Sequence, residues 1–363
     1  MTTTPFGRFL LPGPTEVHPE VLAAMTRPMI PHRGPEMEVL LAGLASPLRD
    51  LFRTTRSVLL GACSATGFME LAVRNGVRRR CLSLVGGAFG ERFAHIAVAS
   101  GKDVIRLEVP AGGTIEPDLL RDSLKRTPVD AVTLVHSETS TGALAPVAEL
   151  AAVVREFPEV LVLVDAVTSL AGSPVETDLW GLDFVLTGSQ KALALPPGLA
   201  LGVASDRLVE RAGRVEGRGL YFDLLAFVEA FAKNQPPNTP AIPLLYALER
   251  QLERIRAEGG IEARLARHDA MRGVVERWVA DRGAARGFGL LPREGRRSWT
   301  VSCLTLPPSV SGKALVGAVR EGGYVIGGGY GALKSSTVRI GHMGDHGVGS
   351  VEAVLALIEE TLS

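Results

Sequence analysis

From about residue 57 to residue 205 the chain repeats one pattern. A short unbroken apolar run is followed by a stretch whose apolar positions recur every three or four residues. The runs are SVLLGA, CLSLVGG, DVIRLEV, AVTLVHSE, VLVLVDAV, DFVLTGS and LALGVAS. Most lack the polar alternation of a half-exposed strand, which marks strands covered on both faces. The periodic stretches between several of them, among them residues 70–77, 91–100, 117–125 and 147–157, predict helices. Such alternation predicts an α/β fold with a mostly parallel sheet flanked by helices.

After residue 240 the pattern changes. A helix is predicted over 242–257, broken by Gly259-Gly260, with a second over about 261–282. Strand-like runs (WTVSCLTL, YVIGG, TVRIG) then alternate with predicted helices at 312–321 and 350–362. This tail reads as a smaller α+β domain. The 363-residue length suggests about two domains. We expect a large domain over 16–258 and a small one over 259–363, joined by segment 1–15. Residues 234–240, with three prolines, read as a loop.

Composition narrows the function. With 39 basic and 39 acidic residues the formal charge is zero, so the electrostatic footprint of a nucleic-acid or membrane-surface binder is missing. No run of about 18 apolar residues predicts a transmembrane helix, and no charged-then-apolar start predicts a signal peptide. Cys63, Cys81 and Cys303 have neither disulfide-framework nor metal-ligand spacing. We expect them to be core thiols in strand-like surroundings, in a cytoplasmic protein.

Two residues carry the candidate chemistry. Lys191 stands in TGSQKALALPPG, just past the strand DFVLTGS. It is either a strand-end lysine reaching solvent or a buried amine. Burial lowers an ammonium's pKa, which suits attack on an aldehyde. Asp165 ends VLVLVDAV, where open α/β sheets place ligands. It either caps the next turn or meets a cation, and the protonated ring of pyridoxal phosphate is one such cation. The two residues on successive strands are more specific together than either alone.

The segments VDAVTSLAG and TGSQKALALPPGLALGVAS resemble the core of class V aminotransferases, specifically the alanine–glyoxylate and serine–pyruvate group. FLLPGPTEV, CSATGFME, GGAFGERF, VHSETSTGALAPV and TVRIGHMG match in order, so the resemblance covers nearly the whole chain. It implies fold type I, a homodimer, pyridoxal 5'-phosphate and a ping-pong exchange between an amino acid and a 2-oxo acid. Lys191 would carry the cofactor and shuttle the proton, with Asp165 on the ring nitrogen.

The resemblance also implies the rest of the site. Ser64, Ala65 and Thr66, opening a helix after SVLLGA, would hold the phosphate, aided by Gln190 and, across the subunit boundary, Thr239. A helix N-terminus with hydroxyls is already an anion site; capping by Ser64 is the plainer reading. Relatives carry Gly where Ala65 stands and often Tyr where Pro236 stands. Phe89 would stack on the ring, Val167 would also contact the cofactor, and Thr139 would bond the ring oxygen. Glu138 either joins them or organises its loop. Arg339 would bind the substrate carboxylate beside Gly13. Arg33 either supplies a second cation or ties the N-terminal segment to the large domain.

Alanine or serine with glyoxylate or pyruvate is the expected pair, with an aspartate or aminophosphonate transaminase as the alternative. A non-catalytic relative conflicts with the intact Lys191, Asp165 and Arg339. A cysteine desulfurase conflicts with the lack of cysteine between Cys303 and Arg339. Gly327–Gly331 lacks nucleotide-loop spacing and is expected at the substrate entrance. No metal is expected at His342, Asp345 and His346.

Overall fold

The structure is a computed structural model that describes residues 5–362. A short strand β1 (Phe9–Leu10) precedes helices α1 (Pro19–Ala24) and α2 (Pro35–Phe52). Strand and helix then alternate: β2 (Val58–Gly61), α3 (Ala65–Gly76), β3 (Arg80–Val85), α4 (Ala88–Ala99), β4 (Asp103–Glu108) and α5 (Pro117–Arg126). Next come β5 (Ala131–Val135), a hairpin of β6 (Ser137–Glu138) and β7 (Ala143–Leu144), α6 (Val147–Arg155), β8 (Leu161–Asp165), β9 (Phe184–Gly188) and β10 (Ala200–Ala204). Helices α7 (Asp206–Ala212), α8 (Leu224–Phe231), α9 (Ile242–Ala257) and α10 (Gly260–Trp278) follow. The chain ends with β11 (Gly289–Leu290), β12 (Val301–Thr305), α11 (Gly312–Glu321), β13 (Val325–Gly328), β14 (Thr337–Gly341) and α12 (Val348–Glu360).

All seven apolar runs of the first half join one sheet, in the order β2-β10-β9-β8-β5-β3-β4. Only β10 runs against its neighbours. Successive residues of a strand point to opposite faces, and both faces are covered. Val162 and Val164 of β8 pack in the core under α2, α6 and α9, while Leu161 and Leu163 pack in the core under α3. Edge strand β4 alone mixes exposed positions (Asp103, Arg106 and Glu108) with half-buried ones.

A second sheet, β1-β13-β14-β12-β11, packs against α10, α11 and α12. The N-terminal segment enters this sheet, because β1 pairs in parallel with β13. Helix α10 stops at Trp278 and passes into a π-helical turn over Val279–Gly283, so the predicted 261–282 helix ends early. Cys81 and Cys303 lie buried in strands, but Cys63 is half-buried in the turn after β2, which corrects its placement in a strand. Among the described residues no helix is long and apolar enough to cross a membrane.

Candidate active site

Strands β2, β3, β5, β8 and β9 end at one edge of the large sheet, and the segments that follow them carry the predicted site. Asp165, the last residue of β8, is 2% exposed. Its Oδ1 accepts a 2.7 Å bond from Val167 N–H, and no ammonium or guanidinium of the described residues pairs with it. Burial, with Glu138 adding to it, pushes this carboxyl up to about 7 against the Val167 bond. A buried carboxylate in that state lacks a cation.

Lys191 lies three residues past β9 and is 7% exposed, so the solvent-reaching alternative does not hold. Burial lowers its ammonium to about 8, and Arg339 and Arg92 push the same way, while Asp165 opposes them. Its Nζ donates to Pro12 O. Gly13 has φ +101°, and a Cβ there would overlap the Lys191 side chain. The left-handed backbone and that contact together demand glycine at position 13.

The loop after β5 resolves the ambiguity over Glu138. Its Oε2 accepts from the N–H groups of Phe89 and Gly90, and its Oε1 accepts from Ser140 N–H and Oγ–H. Glu138 therefore satisfies the open donors of the first turn of α4 and fixes Phe89. Lys191 Nζ lies 6.0 Å from the Phe89 ring centroid. Thr139 Oγ1 lies 2.5 Å from Thr168 Oγ1.

The opening of α3 behaves differently. Ser64 is its N-cap, yet its side chain makes no capping bond, so the plain capping reading of Ser64 fails. Ser64 and Thr66 are exposed and Ala65 is buried. A Cβ built on Gly188 would meet Gln190 Oε1 at 2.8 Å and Ala65 Cβ at 3.2 Å, so Gln190 lies at this helix end. Thr239 is exposed on the loop after α8, and its side chain bonds nothing in the described chain.

Arg339 reaches the site from β14 of the small sheet. Its Nε donates to Gly328 O at 2.9 Å and its Nη1 to Thr139 O at 3.1 Å. Its Nη2 bonds nothing among the described residues, and no carboxylate pairs with it. Arg33 is exposed and makes no hydrogen bond or ion pair among the described residues, so it does not tie their part of the N-terminal segment down. Glu16, accepting from Gly7 and Phe9 N–H, and Thr15 N–H, donating to Gln190 O, do so instead.

Sequence reasoning missed two residues here. The Tyr330 ring lies 6.3 Å from that of Phe89 and 5.5 Å from the Arg339 Cζ. The Arg92 Cζ lies 4.7 Å from the Phe89 centroid, and no carboxylate of the described residues pairs with it. The (i, i+3) spacing of Phe89 and Arg92 was the available signal. His342, Asp345 and His346 bond Ser302, Arg264 and Phe9 O respectively, and no group of described residues is arranged to hold a metal.

The family model for class-V aminotransferases matches residues 92–322. This chain belongs to the class-V aminotransferases. An uncharacterized aminotransferase of Methanocaldococcus jannaschii is 38% identical over 97% of this chain and 92% of its own length. Among solved structures, an alanine–glyoxylate aminotransferase from Nostoc sp. superimposes with a TM-score of 0.92 at 31% identity, covering 100% of this chain and 97% of its own. An aspartate aminotransferase from Thermus thermophilus gives 0.89 at 34% identity, covering 98% and 99%. The chain is thus a fold type I transaminase that uses pyridoxal phosphate. Its residues fit that cofactor. The cation-poor carboxylate of Asp165 suits a protonated ring nitrogen, and the uncapped hydroxyl of Ser64 at a helix N-terminus suits a phosphate.

Proposed function

We propose that this transaminase moves an amino group between a small neutral amino acid, alanine or serine, and a small 2-oxo acid, glyoxylate or pyruvate. The observation that carries the reading is Arg339, whose Nε and Nη1 are held by carbonyls while Nη2 stays open. That arrangement fixes a guanidinium for one carboxylate. The name of the Nostoc relative supports the substrate pair.

Bound pyridoxal phosphate supplies an aldehyde that takes the amino group and a ring that accepts electrons. In our reading Lys191 Nζ would hold the cofactor, then take the proton from the substrate's Cα and pass it to the cofactor carbon that receives the amino group. Its lowering to about 8 leaves more free amine near neutral pH than an ordinary lysine has. Asp165 keeps the proton on the ring nitrogen, and Val167 N–H orients the carboxylate that does so. Phe89, fixed by Glu138, covers the ring, with Val167 also in contact and Thr139 at the ring oxygen. Ser64, Ala65, Thr66 and Gln190 hold the phosphate, and Arg339 aligns the carboxylate beside Gly13. The exposed phosphate end and the exposed Thr239 support a homodimer in which Thr239 serves the partner's phosphate. We also propose a division at residue 258 into a large and a small domain, and a cytoplasmic site of action.

One observation favours a second reading. Arg92 is a cation at the site without a carboxylate partner among the described residues, and the Thermus relative is named an aspartate aminotransferase. An acidic donor would then be preferred. The test is kcat/KM for alanine, serine, aspartate and 2-aminoethylphosphonate with glyoxylate and with pyruvate. Alanine or serine leading, with Arg339→Ala raising KM about 10- to 100-fold, supports the first reading. Aspartate leading, with the lead lost in Arg92→Met, replaces it by the second.

A further inference from the structure

Arg264, in the second turn of α10, is 1% exposed. Burying a guanidinium is expensive, and a hydrocarbon of similar volume often serves stability as well. Its bonds show what the charge does instead. Nη2 donates to Ala192 O at 2.7 Å, one residue past Lys191. Nη1 donates to Asp345 Oδ1 at 3.0 Å and to Glu258 Oε2 at 3.2 Å. Asp345 also accepts from Gln251 Nε2 at 3.0 Å. One planar group thus links the backbone beside Lys191, the end of α9 and the segment after β14.

That segment matters because β14 carries Arg339, six residues before Asp345. A second link runs in parallel. Thr15 N–H donates to Gln190 O at 3.0 Å, and Thr15 Oγ–H donates to Met343 O at 3.3 Å. The carbonyls on both sides of Lys191 are therefore tied to residues 343–345. His268, one turn beyond Arg264 on α10, accepts from Gly344 N–H at Nε2 and bonds Arg264 O through Nδ1. This pattern requires the neutral ring with its proton on Nδ1, and it fixes the same segment from a third side.

We propose that Arg264 is a positioning residue for transamination: by joining Ala192 O to Asp345 it sets Lys191 in register with Arg339. The inference rests on the roles given above to Lys191 and Arg339. Proton transfer at the substrate Cα depends on the distance between the amine and the carboxylate anchor, and a displacement of about 1 Å can cost about 100-fold in rate. Lysine cannot replace this fork, since a single ammonium does not span two acceptors in the guanidinium plane.

The test compares the Arg264→Lys and Asp345→Asn holoenzymes with wild type. Borohydride labelling first establishes that the cofactor still links to Lys191; a label elsewhere would overturn the Lys191 assignment, not this one. Given that link, kcat should fall about tenfold or more in both variants. The pH midpoint of the visible band of the lysine-linked cofactor should move, and in the apoenzymes amide exchange over residues 189–195 should quicken about tenfold. Lower melting temperature with unchanged kcat, midpoint and exchange would overturn the proposal and leave Arg264 a stabilising residue only. If Arg264→Lys does not fold, Asp345→Asn carries the test, because it leaves Arg264 in place and weakens its tie to the Arg339 side by taking the charge off the acceptor, together with the ion pair from Arg254.

Discussion

The two ends of the candidate cofactor site are built on different terms. At the ring end Asp165 and Lys191 are 2% and 7% exposed, and the contacts that orient them come from the same chain. At the phosphate end Ser64 and Thr66 are exposed, Ser64 makes no capping bond, and Thr239 lies exposed on a separate loop. The ring end is closed within one chain, whereas the phosphate end stands exposed on it. Chemistry that depends on shifted pKa values needs burial. Anion binding at a helix end needs only free N–H groups and hydroxyls.

The sharpest way to break this contrast is at the ring end. Lys191→Ala should lower kcat by about 10⁴-fold, the upper range of what a positioned base contributes, while the fold and cofactor uptake persist through the phosphate end. Single-turnover kinetics with alanine measures this. Loss of only a few-fold would remove Lys191 from the reaction.

Asp165→Asn should follow, slowing turnover about 10²- to 10³-fold, since an amide cannot hold a protonated ring nitrogen as a carboxylate does. The apoenzyme adds a pH signature. Asp165 sits near 7 in the folded chain and near its ordinary 3.8 when unfolded. Between these values the unfolded state has lost a proton that the folded state keeps, so stability falls as pH rises from about 4 to about 7. Melting temperatures across that range should fall for wild-type apoenzyme and flatten for Asp165→Asn. A wild-type curve as flat as the variant's would show that Asp165 is not a buried, cation-poor group.

The smallest effect belongs to the phosphate end. Thr239→Ala should weaken cofactor affinity a few-fold, the scale of one hydrogen bond, with kcat unchanged at saturating cofactor. Sedimentation at micromolar concentration should show a dimer. A fully active monomer with normal cofactor affinity would contradict the view that the phosphate end is completed by a partner.

What was legible in the chain follows the same division. Strands buried on both faces must be apolar throughout, so the runs of the large sheet other than edge strand β4 stood out as unbroken apolar stretches, and Asp165 stood out as the carboxylate ending one. Helix α2 escaped notice although Met37, Leu40, Leu41, Leu44, Leu48 and Leu51 face the core, because Gly43 and Pro47 interrupt its pattern. Strands β1 and β11, two residues each, are too short to show a period. The aromatic contact of Tyr330 with Phe89 joins residues about 240 positions apart, and no local spacing encodes it. Arg264 reads as part of a polar helix face in EARLARH; only the packed structure reveals that it is buried beside Lys191.

The central claim is that the buried amine at the end of β9 carries the cofactor. Borohydride reduction of the holoenzyme, followed by proteolysis and mass spectrometry, tests it directly. The account predicts one reduced pyridoxyl group per chain on the peptide containing Lys191, absent from Lys191→Ala. A label on Lys313, Lys334 or any other lysine, or the same label in Lys191→Ala, would contradict it.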